Sequence, residues 1–244
     1  MPAFDYAGLA LPIPEALREA HRRAWQGLAR PGAWWTGAER VAIAAEVRAA
    51  RACGLCRERK AALSPHAVAG EHAATPSLPA PAVEAAHRIA SDPGRLTRAW
   101  YEKLGAAGLS DAHYVELVGV VVTVVNLDAL HRALGAEPEP LPEPLPGAAA
   151  RERPPVVEGD AWVPWLAPDS AEARALFEGR SRVPNVARAL SLVPGEVRQL
   201  KELSEAHYLR IADVIDPRAR LAALSRPQME LIAGRVSALN ECFY

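Results

Sequence analysis

The 244-residue chain carries 28 basic and 29 acidic side chains, which gives a formal net charge of -1 at pH 7. This balance leaves no overall positive field to attract nucleic-acid phosphates or an anionic membrane surface, so neither is an expected partner. Hydrophobic residues make up 50% of the chain, which is enough to bury a sizeable core in one large or two small domains.

The N-terminal segment and the cysteine content predict a cytoplasmic protein. The apolar stretch after Asp5 contains two prolines and has no basic leader, which argues against a signal peptide. The most apolar segment, Leu117–Val125, is far shorter than the roughly 20 residues that span a bilayer, so no membrane span is expected. Three cysteines cannot all pair within one chain, and cytosolic thiols stay reduced, so no disulfide framework is expected.

Hydrophobic periodicity predicts helices in the first half of the chain. Apolar residues recur at helical spacing after Pro14. Thr36 and Glu39 match a capping box, which predicts a second helix leading toward the first cysteine. From Asp111, leucines and valines repeat every three or four residues without a turn signal until Gly135. This spacing predicts one long buried helix, although the β-branched run within it favours a strand when taken alone.

A proline-rich stretch from Glu137 to Pro155 separates two helical regions. Closely spaced prolines remove backbone donors and favour extended structure. The pattern predicts a helical domain over residues 1–136, a linker over 137–160 and a second helical domain over 161–244. A loop wrapped over one continuous domain is the alternative that remains open.

Beyond the linker, the pattern predicts two short helices divided at Pro194 and a further helix that begins near Arg226. The apolar residues of this last helix recur every three or four positions up to Phe243. No glycine, proline or basic last turn closes the helix. We therefore expect its apolar face to continue to the last residues of the sequence.

Cys53 and Cys56 form a CxxC motif, which is the main chemical signal in the sequence. Two intervening residues let one helical turn bring the sulfurs into bonding range. One thiol can then attack a peroxide, and the other can condense with the resulting sulfenic acid. Nearby cations lower the pKa of a thiol, and four of them surround this motif: Arg51, Arg57, Arg59 and Lys60.

Three segments carry a family resemblance: Glu39–Cys56, Val183–Pro194 and Arg226–Tyr244. The first and third look like the core of the alkyl hydroperoxidase D and carboxymuconolactone decarboxylase family, in which a helix with a glutamate leads into CxxC. The second is similar to the segment that precedes this core. The resemblance implies an all-α fold of two tandem alkyl hydroperoxidase D-like repeats, the second incomplete.

The same resemblance implies an antioxidant, peroxidase-like oxidoreductase that reduces hydroperoxides through redox-active cysteines. It implies a thiol reductant of unknown identity, a homo-oligomer, and neither a cofactor nor a metal. Decarboxylation of carboxymuconolactone is less favoured, because the family members with that activity do not depend on CxxC.

The resemblance assigns roles to residues of the first motif. Cys56 corresponds to the attacking thiol and Cys53 to the resolving thiol. Lys60 occupies the position where the family has histidine, and Glu46, one to two turns upstream, is the candidate carboxylate. Since the family places the long helix against the active site, His131 is a further candidate.

The second motif pairs Glu230, which matches the family's proton-relay glutamate, with Cys242 as the resolving thiol. In the family this motif continues to a second nucleophile and a histidine, whereas this sequence stops after Tyr244. The resemblance favours a selenocysteine codon read as a stop at that point, because CxxU forms of this group exist. A pseudogene stop, a deliberate end and a true terminus are the alternatives.

Other interpretations of the cysteines remain open. CxxC is half of a zinc site, which needs two further ligands, and His66 and His72 follow at suitable distances. The cysteines also fit simple core packing. A thiol–disulfide exchange protein and a non-catalytic helical oligomerisation module are the functional alternatives to a peroxidase. His87, His113 and His207 are interpreted as structural or exposed rather than catalytic.

Overall fold

The computed structural model describes residues 4–6, 9, 11–73, 77–180, 183–214, 216, 218–220 and 224–239. The α-helices are α1 (Glu15–Ala29), α2 (Gly37–Ala49), α3 (Gly54–Ala61), α4 (Ala80–Ser91), α5 (Arg98–Ala106), α6 (Asp111–Ala133), α7 (Ala171–Phe177), α8 (Asn185–Leu190), α9 (Pro194–His207), α10 (Ile211–Val214) and α11 (Arg226–Leu239). Single 3-10 turns lie at Pro65–Ala67 and Pro93–Arg95. Strands β1 (Val156–Val157) and β2 (Trp165–Leu166) form an antiparallel pair. The predicted helical character is confirmed, whereas the tandem repeat stays a prediction.

The start of α2 follows the predicted capping box. The Thr36 hydroxyl accepts a hydrogen bond from the backbone N–H of Glu39 at 3.3 Å, and the Glu39 carboxylate accepts one from the N–H of Thr36 at 2.8 Å. Two of the first free amides of the helix are thereby satisfied. The face of α2 that carries Ile43, Glu46 and Val47 is buried, so this helix brings a carboxylate into the interior.

Helix α6 lies at the centre of the fold and packs against α2, α4 and α9. Its apolar residues are almost completely buried, among them Leu117, Val120, Val124 and Leu127. The prediction of one long buried helix is confirmed, because burial on several sides outweighs the strand propensity of its valines. The helix is also long and apolar enough to cross a membrane, but 56% of its most apolar window is buried inside the fold. Core helices share that property, so α6 does not decide the location of the protein.

Helices from the second half share the core of the first. Helices α8 and α9 pack against α6, and α9 also packs against α1. The proline-rich segment forms neither helix nor strand over residues 137–155. It lies along the first two helices, where its Pro140 carbonyl accepts a hydrogen bond from Trp25 at 2.8 Å and its Glu139 carbonyl accepts one from Arg48 at 2.8 Å. The two-domain division stays a prediction.

A buried ion-pair cluster joins α2, α6 and α9. The Arg40 guanidinium donates to the carboxylate of Glu196 at 2.9 Å and to that of Glu116. All three side chains are less than a tenth exposed. Burial raises the pKa of Glu116, while Arg40 opposes that shift. A Cβ at Gly119 would lie 2.1 Å from the Glu196 carboxylate, so glycine at that position allows the close approach of α9.

A second polar cluster lies between α1 and the C-terminal end of α9. The Nε2 atoms of His21 and His207 are 2.7 Å apart, and the Tyr6 hydroxyl lies 2.6 Å from Nδ1 of His21. Burial, together with the nearby His207 and His131, lowers the pKa of His21 to about 3. Burial also lowers the pKa of His207. The cluster is therefore held in its uncharged form.

Candidate dithiol–histidine site

The CxxC motif lies where the chain leaves α2 and enters α3. Cys53 is the residue that precedes the first turn of α3, and Cys56 lies in that turn. This placement puts both sulfurs at the N-terminal end of a helix, where free amides and the helix dipole favour a thiolate. Cys53 is 7% exposed and Cys56 is 2% exposed, so the two thiols are nearly enclosed.

His87 connects Cys56 to a buried carboxylate. This histidine lies on α4 and is fully buried, with its Nδ1 atom 3.3 Å from the Cys56 sulfur. Its Nε2 atom is 2.9 Å from the Glu46 carboxylate on α2. Because α4 packs against both α2 and α3, the chain forms a continuous contact from carboxylate to imidazole to thiol.

His72 makes a second contact of the same kind. This residue lies between α3 and α4, and its Nδ1 atom is 3.5 Å from the sulfur of Cys53 and 3.7 Å from that of Cys56. Its Nε2 atom is 2.8 Å from the Glu84 carboxylate. Glu84 is held in turn by the Arg59 guanidinium, whose closest N···O distance is 2.8 Å. Each imidazole therefore faces the sulfurs with one nitrogen and a carboxylate with the other.

These contacts set the charge states of the site. Burial raises the pKa of the Cys56 thiol, but hydrogen bonds from His72 and His87 outweigh it and lower that pKa to about 6. The pKa of Cys53 is also lowered, because its contact with His72 outweighs burial. Burial opposes a charge on His72, but contacts with Cys56 and Glu84 raise its pKa to about 10. Near neutral pH this arrangement favours thiolate paired with imidazolium.

The pKa values of Glu84 and His87 are also shifted in the direction that favours the charged form of each group. Burial raises the pKa of Glu84, but hydrogen bonds from His72 and Arg59 lower it to about 2. The pKa of His87 is raised, since its contacts with Cys56 and Glu46 outweigh burial. Both histidines are thus stabilised as cations by a sulfur on one side and a carboxylate on the other.

A cavity of about 310 Å³ opens beside Cys56. Its apolar wall comes mainly from α2, α4 and α6, and four cationic side chains border it: Arg51, Arg57, Lys60 and Arg132. A larger cavity of about 700 Å³ lies beside β2 and α7, and the described residues that line it include no cysteine. The cavity beside Cys56 therefore gives a small reactant a route to this thiol.

The structure brings together Cys53, Cys56 and Glu46 and places Lys60 on the border of the cavity. His131 lies elsewhere on α6, with its Nδ1 atom 2.9 Å from the Leu127 carbonyl and its ring against Phe4 and Tyr6. The roles assigned to these residues stay predictions.

The residues of the second motif are only partly described. Glu230 is exposed on α11, where its carboxylate accepts hydrogen bonds from Arg226 at 2.7 Å and from the Tyr208 hydroxyl. These contacts hold the pKa of Glu230 below its usual value, the Tyr208 hydrogen bond having the largest effect. Cys242 lies outside the described residues, so the predicted pairing of the two stays a prediction.

Two functional candidates, His72 and His87, were not assigned to a redox site by sequence reasoning. His72 entered only as a zinc ligand alternative, together with His66, and His87 was interpreted as structural. His66 is exposed, with its Nε2 atom 3.1 Å from the Arg95 carbonyl, and is not part of the group. The available signal for His87 was its spacing from Glu84, because residues three apart lie on one face of a helix.

No protein-family model matches this chain, and neither the curated proteins nor the solved structures contain a significant match. The resemblance to alkyl hydroperoxidase D therefore stays a prediction.

Proposed function

We propose that this chain is a peroxidase-like oxidoreductase that reduces hydroperoxides through the dithiol of Cys53 and Cys56. The observation that carries the proposal is the contact of the Cys56 sulfur with His87, 3.3 Å away, which is itself 2.9 Å from the Glu46 carboxylate. A nucleophile, a proton-transfer group and an orienting carboxylate in sequence form the arrangement that activates thiols in enzymes. Core packing alone does not require two charged carboxylates behind two histidines.

In the proposed reaction, the Cys56 thiolate attacks the distal oxygen of the hydroperoxide and the O–O bond breaks. His87 donates a proton to the departing alkoxide, which leaves as an alcohol. Cys56 is then a sulfenic acid. The Cys53 thiol attacks its sulfur, a disulfide forms, and the hydroxyl group leaves as water. Two thiols and one hydroperoxide thus become one disulfide, one alcohol and one water.

A thiol reductant returns the protein to its starting state by thiol–disulfide exchange. Cys53 is the more exposed of the two cysteine residues, at 7% against 2% for Cys56. An incoming thiolate therefore reaches Cys53 first and releases Cys56 as the leaving thiolate. The contacts of Cys56 with two imidazoles stabilise that leaving group.

The cavity beside Cys56 supports a small organic hydroperoxide as the substrate. Its volume of about 310 Å³ is at the lower end of the range for small-molecule sites. The apolar wall suits an alkyl group, while Arg57 and Lys60 at the border attract a negatively charged end. A thiol–disulfide exchange protein with little peroxide activity is the second candidate, favoured by the same pair of sulfurs.

The proposal is tested by consumption of tert-butyl hydroperoxide and of a disulfide substrate by the reduced, metal-free protein. We expect peroxide consumption that is lost in Cys56→Ser and retained for one turnover in Cys53→Ser. If the wild-type protein reduces the disulfide but consumes no peroxide, the exchange function replaces the peroxidase. If neither substrate reacts, the proposed function is wrong.

A further inference from the structure

We propose that Cys53, Cys56, His72 and His87 bind one zinc ion in a tetrahedral site. Each residue offers one ligand atom, and these four atoms all lie within 4.8 Å of one another. Two thiolates and two imidazoles are a common ligand set of structural zinc sites. The inference concerns metal binding and is independent of the peroxidase activity proposed above.

The distances between the ligand atoms fit a zinc ion. Zn–S bonds of about 2.3 Å and Zn–N bonds of about 2.0 Å place the sulfur and nitrogen atoms of a tetrahedron about 3.5 Å apart. The corresponding distances are 3.5 Å for Cys53 and His72, 3.7 Å for Cys56 and His72, and 3.3 Å for Cys56 and His87. The four groups therefore need little movement to coordinate one ion.

The orientation of both imidazoles is that of metal ligands. Each ring turns Nδ1 toward the sulfurs and Nε2 toward a carboxylate, Glu84 for His72 and Glu46 for His87. Metal-bound histidines commonly donate their second N–H to a carboxylate, which fixes the tautomer and makes the ligand more basic. Two histidines from different segments share this orientation. This observation supports the zinc site independently of the distances between the ligand atoms.

Burial and charge also suit a bound dication. Cys53, Cys56 and His87 are buried, and His72 is only slightly exposed. With zinc bound, the negative charges of two thiolates and two carboxylates would lie beside the positive charges of the zinc ion and of the Arg59 guanidinium, which is paired with Glu84. Soft sulfur ligands combined with imidazole favour zinc over magnesium or calcium, which prefer oxygen.

Four protein ligands leave no open position, so zinc would hold the thiols in a closed form. The following consequence depends on the proposed function. A hydroperoxide that oxidises the zinc-bound thiolates takes up two protons, forms one disulfide, one alcohol and one water, and releases the zinc ion. Reduction of the disulfide restores the ligands. The zinc ion and the hydroperoxide thus compete for the same pair of sulfurs.

Zinc binding is tested by titrating the reduced, metal-free full chain with zinc against a chromophoric chelator. We expect one zinc per chain and, with cobalt instead, the visible absorption of a tetrahedral thiolate complex. Glu84→Gln keeps all four ligands and should weaken zinc binding by about 10- to 100-fold. The matched control is His66→Gln, which removes an exposed histidine from outside the ligand group and should leave the affinity unchanged.

His72→Gln and His87→Gln should each weaken zinc binding and change the cobalt spectrum, and circular dichroism of the metal-free variants checks that they fold. The inference is overturned if the wild-type chain shows no saturable uptake, or if the double variant binds zinc as tightly as the wild type. Peroxide consumption by the metal-free protein is measured in parallel. Activity without zinc uptake refutes only the zinc site, and zinc uptake without activity refutes only the proposed function.

Discussion

Replacing His87 with glutamine should slow the reaction of the metal-free dithiol with tert-butyl hydroperoxide by about 100-fold. The substitution removes the imidazole that lies 3.3 Å from the Cys56 sulfur and 2.9 Å from the Glu46 carboxylate. Glutamine is polar and close in size, so it fills most of the same buried space. The loss therefore reports on proton transfer and thiolate stabilisation rather than on a cavity.

The magnitude follows from what the variant retains. A positioned acid–base side chain contributes about 10²- to 10⁴-fold to a rate, which is about 3 to 5 kcal/mol of activation free energy. In the wild-type structure, Nδ1 of His72 also lies 3.7 Å from the Cys56 sulfur, and the substitution leaves this histidine in place. It supplies part of the missing stabilisation, so the single variant should fall at the lower end of the range. The double variant with His72→Gln should approach the upper end.

The rate is measured in a single turnover, by loss of free thiols after mixing reduced, chelator-treated protein with an excess of hydroperoxide. His21→Gln is the matched control, because His21 is also buried on a helix but contacts Tyr6 and His207 instead of a cysteine. Its rate should equal that of the wild type. Loss of a positioned acid–base side chain generally slows a reaction by at least about 100-fold. A His87→Gln rate within about threefold of the wild-type rate would therefore contradict the proton-transfer role. An equal loss of rate in His87→Gln and in the control variant would also contradict that role.

Three further outcomes are expected. Arg40→Met leaves two buried carboxylates without their cation and should lower the free energy of unfolding in urea by about 3 to 5 kcal/mol. Arg23→Met, at an exposed ion pair, should change that free energy little. Equal effects of the two substitutions would contradict the role of the buried cluster. His21 has a pKa of about 3 in the folded chain against about 6.5 when unfolded, so the unfolded state binds more protons below pH 6.5. As the pH is lowered from about 6.5 to about 3, stability should fall by about 1.4 kcal/mol per pH unit from this residue, and His21→Gln should reduce that slope. Lys60→Glu should slow reduction of a short hydroperoxide that carries a carboxylate but not of tert-butyl hydroperoxide, and the difference should disappear at high salt. Equal slowing of both would exclude charge attraction at the cavity.

Local patterns accounted for several helices, α2 and α6 among them, but not for the assembly of the site. The capping box at Thr36 and the apolar repeat of α6 depend on neighbours within a few residues, so they can be predicted from the sequence. The contact between His87 and Glu46 joins residues 41 positions apart, and nothing in a helical repeat shows which helix another one faces. The CxxC motif was visible because only two residues separate its cysteines along the chain.

The segment that contains His72 shows why the rest was missed. It follows α3 without regular periodicity, and its placement depends on the Glu84 carboxylate and on Arg59 from another element. The proline-rich segment is similar, since it is held by Trp25 and Arg48 through its backbone carbonyls. Backbone acceptors are present at every residue, so no side-chain pattern marks the ones that are used.

The central claim is that Cys53 and Cys56 form one peroxide-reducing pair. The most direct measurement is the stoichiometry of tert-butyl hydroperoxide with the reduced, metal-free protein in a Cys242→Ser background, followed by mass spectrometry. We expect one equivalent of hydroperoxide to remove two thiols and to yield a Cys53–Cys56 disulfide, and we expect Cys53→Ser to accumulate a sulfenic acid on Cys56. Thiols that survive excess hydroperoxide, or a sulfenic acid on Cys53 alone, would contradict it.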